Sequence, residues 1–333
     1  MFDLATIWAC IIAFAVLTYV ILDGFDLGVG ILFPFARDES ERDVMMNSVA
    51  PVWDGNETWL VMGGGGLFAV FPLAYAVVMP ALYMPIILML LALVFRGVAF
   101  EYRWRTTRWR GVWDAAFIGG STLAAFTQGI ALGALVQGIE VADRAYAGGW
   151  WDWLTPFSLL TGVALVVGYA LLGATWLIMK TEGGLQSAMR RRAGPLALGT
   201  LGLIGVVSLL TPFQDPVYFE RWFSFPAAFY SALVPVILFV AAMYLFRGLA
   251  TGSDHAPFLA SLALFVISFV GIGISFYPMM VPPALTIQQA AAPDSSLAFA
   301  LVGTVILVPM ILGYTAYAYW VFRGKVDPDA GYH

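Results

Sequence analysis

PVWDGNETWLVMGGGG, residues 51–66, is the stretch on which the reading of this chain turns. It opens an apolar segment that continues through Phe71, yet it carries two carboxylates, Asp54 and Glu57, three positions apart. At helical periodicity that spacing sets both on nearly one face, with the rings of Trp53 and Trp59 beside them. The four glycines that follow strip the next turn of side chains, so another helix, a ligand or a cofactor-bearing partner can approach the backbone closely. Carboxylates in such a segment point to a membrane helix with chemistry to perform.

The rest of the chain is built of similar apolar material. Of 333 residues, 61% are hydrophobic and 11% charged, with a mean hydropathy of +0.85. A soluble domain carries about 25% charged residues, so this is a polytopic, all-α membrane protein. At roughly 20 apolar residues per crossing, nine spans are predicted, at 5–34, 51–71, 76–100, 112–136, 156–179, 195–212, 226–247, 257–277 and 297–322. The segments after the odd-numbered spans hold 13 of the lysines and arginines, and those after the even-numbered spans hold only Arg144 and Arg221. That asymmetry places the N-terminus outside and the C-terminus in the cytoplasm. The first apolar run, 6–22, lacks the basic start and cleavage pattern of a signal peptide and reads as a retained span. Outer loops at 148–153, 212–226 and 277–294 are rich in Trp, Tyr, Phe and Pro, as expected of interfacial anchors. No loop is long enough for a core of its own, so residues 1–333 form one membrane-embedded domain. No internal repeat stands out, no nucleic-acid partner is expected, and the single Cys10 excludes an intramolecular disulfide framework.

A second acidic pair, Asp23 and Asp26 in LDGFDLGVG, repeats the spacing of three. Arg96 lies inside the third predicted span, and Asp114 begins the fourth. An ionisable residue at the bilayer centre costs about 2.5–3.5 kcal/mol, so Asp23, Asp26, Asp54, Glu57 and Arg96 together would cost about 12–18 kcal/mol if all were deep. Pairing, bound protons, water-filled pockets or a shallow position must offset this. Arginine does not deprotonate, so a buried Arg96 needs an anion: a neighbouring Asp, a lipid phosphate or a cofactor carboxylate. Snorkelling to the interface is the alternative. Asp54 can equally be read as a helix cap, and Asp114 as an acid favoured by a helix N-terminus. Taken as a group, acids in series within a membrane line a proton or ion path. The two histidines, His255 in a loop and His333 at the end, provide no intramembrane haem ligand pair. Gly63–Gly66 lacks the Lys and Ser or Thr of a phosphate-binding loop.

Several motifs together resemble subunit II of the cytochrome bd-type quinol oxidases: DGFD at 23–26, APVWDGNETWL at 50–60, FRGVAFEYR at 95–103, LVQG at 135–138 and VPMILGYTAYAYW at 308–320. The resemblance covers essentially the whole chain, and its compact length is similar to that of the cyanide-insensitive branch. It implies a nine-span subunit in the bacterial inner membrane, paired with a subunit I that holds haem b and haem d and oxidises ubiquinol or menaquinol. In some members a small single-span accessory subunit joins, and some hold a structural quinone in this subunit. By position, Asp54, with Glu57, Asp23 and Asp26, corresponds to the family's proton path, and Trp59 to its oxygen access. Asp26, Arg96 and Asp114 correspond to residues that influence haem d at the interface. The complex reduces oxygen to water and builds a proton gradient without pumping. Two other classes use the same residues differently: a proton-coupled transporter, which should show broken helices or a repeat, and a purely structural partner, which would tolerate loss of every acid.

Overall fold

The computed structural model describes residues 3–327, and they are almost wholly helical. Helix α1 (Leu4–Leu32) starts at Asp3, whose Oδ1 accepts from the Thr6 amide at 2.7 Å, and stops at a 3-10 turn containing Pro34, which has no N–H to continue the ladder. A short polar helix, α2 (Glu39–Val49), follows, capped by Asp38 and carrying Glu39 and Glu41 in its first turn, where the helix dipole favours acids. Next come α3 (Trp53–Val70), α4 (Pro72–Ala81), α5 (Tyr83–Arg105), α6 (Arg110–Gln137) and α7 (Pro156–Lys180). The chain closes with α8 (Gly183–Leu210), α9 (Pro216–Phe223), α10 (Ala227–Ala250), α11 (Ala256–Phe276), α12 (Ile287–Ala290) and α13 (Asp294–Val321). Two small antiparallel hairpins, β1 (Val141–Ala142) with β2 (Ala145–Tyr146) and β3 (Met279–Val281) with β4 (Leu285–Thr286), interrupt the all-α pattern in the aromatic loops.

Among the described residues, eight helices are long and apolar enough to cross a membrane. The predicted segment 51–71 is helical as α3 but falls outside that set, because Asp54, Asn56, Glu57 and the glycine run dilute its apolarity. The predicted span 76–100 is broken at Leu82 into α4 and α5: Pro85 cannot donate to the carbonyl of Ala81, so the helical ladder fails there. Helix α8 begins twelve residues before the predicted 195, since Pro195 sits inside it and Arg190, Arg191 and Arg192 are already helical. The helices α2 and α9 have no counterpart among the predicted spans.

Helix α7 is the axis of the bundle. In its apolar window 61% of residues are buried, against 6% for α13, which lies at the rim. Helices α1, α6 and α8 pack around α7, and α5 packs on α6. The α1–α7 crossing is a backbone contact: a Cβ on Gly28 would lie 1.9 Å from the Tyr169 carbonyl oxygen, and one on Gly173 2.3 Å from the Gly28 carbonyl carbon. Only glycine at both positions lets the helices come this close. In the glycine run of α3 the outcome is divided. Gly66 makes room for Ile12 of α1, where a Cβ would meet it at 2.5 Å, while Gly64 and Gly65 face open space.

Two apolar cores mark the ends of the bundle. One gathers Phe25, Phe33, Met45, Phe100 and Trp176 near the basic loops, and the other gathers Trp8, Phe71, Trp153 and Ala290 at the opposite end. Arg103 at the end of α5 pairs with Asp43 of α2 at 2.6 Å, so α1 and α5 finish on the same side and run parallel. The chain must therefore travel the length of the bundle between them, and α3 makes that passage. With 18 residues it is about 27 Å long, close to the thickness of a bilayer core. Helix α4 then packs against β2, α12 and β3 at the far end.

Candidate functional site

Near the basic end, α1, α3 and α5 converge on Arg96. Its side chain is completely buried, and α6 closes over it so tightly that a Cβ on Gly120 would meet the Arg96 Cβ at 3.1 Å. Arg96 Nη1 donates to Glu57 Oε1 at 2.6 Å and stands 3.3 Å from Asp23 Oδ1. The guanidinium lies 5.5 Å from the Phe100 ring and 5.9 Å from that of Trp53, and these two rings stack 4.6 Å apart. Arginine is suited to this place because its flat, weakly hydrated head tolerates aromatic walls while meeting carboxylates. The sequence left Arg96 a choice between snorkelling and meeting an anion; it meets the acids of α1 and α3.

Asp26, also fully buried, is held from another side. Asn56 Nδ2 donates to Asp26 Oδ2 at 2.6 Å and reaches the Leu22 carbonyl at 3.4 Å, while Asn56 Oδ1 accepts from the Tyr319 hydroxyl at 3.0 Å. Because carboxylate and carbonyl oxygens only accept, the orientation of the Asn56 amide is set by its partners. Asp23 and Glu57 thus share one guanidinium, Asp26 acts on it electrostatically without touching it, and Oδ1 of Asp26 and two nitrogens of Arg96 lack hydrogen-bond partners among the described residues. One turn before Asp23, Tyr19 accepts from Gln128 Nε2 at 2.7 Å, and Gln128 Oε1 accepts from Tyr169 at 3.0 Å. The Tyr19 hydroxyl in turn donates to Asp23.

Asp54 stands apart from these groups. It lies exposed in the first turn of α3, where the N-cap position belongs to Val52, so it does not cap the helix. Its carboxylate has no hydrogen-bonding partner among the described residues but acts electrostatically on Glu57, whose side chain is 24% exposed. Trp59 is fully buried in an apolar slot with Ala15, Tyr19, Val308 and Ile311, edge-on to Phe14 at 5.8 Å. Asp114 is not part of the Arg96 cluster. It sits with Arg103 at 2.6 Å and Arg42 at 3.1 Å, about 10 Å further along α5. Asn56, Tyr19, Gln128, Tyr319 and Asp43 were not singled out in the sequence. Asn56 and Gln128 carried a signal, being amides within apolar segments; Tyr19 and Tyr319 carried none, as tyrosines inside predicted spans.

The sequence matches the family described as cytochrome bd terminal oxidase subunit II over residues 4–322. It is 32% identical to the cytochrome bd-I ubiquinol oxidase subunit 2 of Escherichia coli K12, across 97% of this chain and 95% of that protein. The chain belongs to the bd oxidase subunit II family. A Bacillus subtilis protein named cytochrome bd ubiquinol oxidase subunit 2 is 31% identical over 98% of both chains. The fold is also that of a chain in the bd oxidase structure from Geobacillus thermodenitrificans, with a TM-score of 0.79 over 96% of this chain and 98% of that one, at 18% identity. As a bd subunit II, this multi-pass membrane protein is part of a quinol oxidase whose haems belong to a partner subunit I. Among the described residues no histidine lies within a helix. His255 stands in the loop before α11, His333 lies outside the described residues, and no group of three or more His, Cys, Asp or Glu able to hold a metal ion occurs among the described residues.

Proposed function

We propose that this chain carries protons from the cytoplasm toward the oxygen-reducing haem of subunit I by way of Asp54, Glu57 and Asp23, with Arg96 holding the last two in register. One observation carries the reading: an exposed acid, a part-exposed acid and a buried acid follow one another from the start of α3 into the bundle, the last two on one guanidinium. Carboxylates can take and release a proton in a low-dielectric setting, and a surplus of them over cations suits a site that holds protons in transit. The haems, b and d, supply the electron transfer and oxygen reduction; this chain supplies protons and shape. Quinol, ubiquinol or menaquinol, is oxidised in subunit I, and the gradient arises from chemical protons taken from the cytoplasm without pumping. Trp59, in its apolar slot, borders the oxygen access. Asp26 and Arg96 act on haem d through the shape of their shared cluster, and Asp114 acts through the separate Arg103 cluster.

The orientation belongs to the same reading. With α3 as a crossing helix there are nine spans, the N-terminus is outside and the C-terminus is in the cytoplasm of a bacterial inner membrane. The parallel α1 and α5 support this, as does the gathering of basic residues at one end. Gly64 and Gly65, facing open space on the same helix as Asp54, suit close contact with subunit I.

The test is oxygen consumption per assembled complex in Asp54→Asn and Asp54→Leu. A relay predicts that Asn, which keeps the size but cannot pass a proton, slows turnover about 100-fold with the haem spectrum unchanged. Near-normal turnover in Asp54→Asn with lost assembly in Asp54→Leu would favour the purely structural reading.

A further inference from the structure

On the side of α3 away from Asp54, a cleft separates the start of that helix from α13. Pro51, Val52, Gly55 and Asn56 form one wall, and Tyr314, Thr315, Ala318 and Tyr319 the other; water has access to ≈ 30 Å³ of it. One water needs about 10–15 Å³ of such space, so the cleft has room for a pair, with the Thr315 and Tyr319 hydroxyls and the Asn56 amide to hold them. At its inner end stands Asn56, 1% exposed, and directly behind it Asp26, with Oδ1 buried and unpartnered. The charged groups acting on Asp26 are Arg96 from α5, Asp23 from its own helix and Glu57 from α3, and none of them lines the cleft.

We infer that this cleft is a water site and a second proton inlet, serving Asp26 independently of Asp54, with Asn56 as its gate. An amide does not readily take up and release a proton, so Asn56 blocks the way as long as it bridges Asp26 and Tyr319. When the amide swings off Asp26 Oδ2, a cleft water gives its proton to the carboxylate and takes one back from bulk water. Tyr319 sets how readily this happens, because its hydroxyl is the other tether of the same amide. The inference rests on the reading of the chain as a proton-delivering oxidase subunit, yet it concerns different residues.

The experiment uses the complete oxidase in membranes. Ala318→Leu fills the cleft without removing a polar group. Hydroxyl-radical labelling of Tyr319, generated by X-ray radiolysis of nearby water, should fall several-fold in that variant. Oxygen consumption should change little in Ala318→Leu alone, where the Asp54 route carries nearly all the flux, and should fall at least about tenfold below that of Asp54→Asn when the two are combined, as for two inlets in parallel. If the double variant is no slower than Asp54→Asn, the inlet is refuted whatever Asp54 does. If Asp54→Asn alone runs at the normal rate, the proposed relay fails, but the inlet then predicts that Ala318→Leu removes most of the turnover, and normal turnover would refute it too. Should Ala318→Leu not assemble, Thr315→Val, which keeps the shape and loses one hydroxyl, must slow the Asp54→Asn complex further; an unchanged rate there overturns the proposal.

Discussion

Arg96 and Arg103 stand seven residues apart on one helix, both with wholly buried side chains, and their surroundings are opposites. Around Arg103 the charges balance: Arg42, Arg103 and Arg110 meet Glu39, Asp43 and Asp114 in contacts of 2.6–3.1 Å. Each acid there has a cation, and Asp43 and Asp114 each have two. Around Arg96, two carboxylates share one cation, and a third, Asp26, has no cation in contact and is held by the Asn56 amide. A balanced network ties α2, α5 and α6 together. An unbalanced one is costly as architecture, and the proposed proton path gives that cost a use. Being buried and charged does not separate the two; the count of partners does.

The largest effect expected is from Arg96→Met. It strands Asp23 and Glu57, and removing one partner of a buried pair costs about 3–5 kcal/mol, so little complex with a normal haem spectrum should be recovered after detergent extraction. Arg103→Met should be milder, because Arg42 still holds Asp114 and Arg110 still holds Asp43. A loss of about 1–3 kcal/mol should appear as a lower thermal midpoint, with turnover per complex unchanged. Equal damage from the two variants would erase the distinction drawn here.

Gly28→Ala sharpens the comparison from the side of the backbone. The added methyl meets the Tyr169 carbonyl and pushes α1 off α7 next to Asp26, at a cost of about 1–3 kcal/mol. Turnover should suffer more than thermal stability, whereas Gly111→Ala, in the open beside the balanced cluster, should change neither. A Gly28→Ala complex with normal turnover would show that the Arg96 cluster tolerates movement of its backbone.

The smallest effect concerns a third charged group, at the C-terminal tail. Lys325 donates to Asp254 at 2.8 Å and to the carbonyls of Ile178 and Thr181, and Arg190 pairs with the same Asp254. The hydrogen bond from Lys325 holds the Asp254 carboxyl below its ordinary value. Its stabilisation is therefore complete above about pH 4 and is lost as pH falls through the lower folded value. Protease protection of the tail in inside-out vesicles should be the same at pH 8 and pH 5, and Asp254→Asn should reduce it slightly at both, as an exposed pair worth about 0–1 kcal/mol would. Protection that changes between those pH values would point to another group.

Much of the architecture could be read in the sequence because apolar length and basic asymmetry are local signals. The break at Leu82 was hidden because Pro85 sits in an otherwise continuous apolar run, and nothing in hydropathy registers a missing hydrogen bond. Helix α2 was hidden for the opposite reason, being too polar to look like a span. At the site, Asp23, Asp26, Glu57 and Arg96 stood out as charges in apolar segments; Asp23, Glu57 and Arg96 do meet, and Asp26 joins them through Asn56 of α3. Asp114 was grouped with Asp26 and Arg96 only through the resemblance; read by position it was an acid near a helix start, and it stands near the start of α6 against Arg103 and Arg42. The link from Asn56 to Tyr319 spans 263 positions and depends on α13 folding back beside α3, which no local pattern encodes.

The glycine contact between α1 and α7 bears on the proposed proton path. Gly24 and Gly28 lie against Tyr169 and Gly173 on either side of Asp26, so the stretch of backbone that bears the acids has no slack. Charges moving through a soft medium drag their surroundings along, and each hop then waits for that rearrangement. Dipoles fixed in advance do not have to reorient when the charge arrives. Where main chain rests on main chain, the reorganisation energy of a hop falls to the light and quick parts of the site: a hydroxyl that turns, an amide that swings, a water that comes and goes.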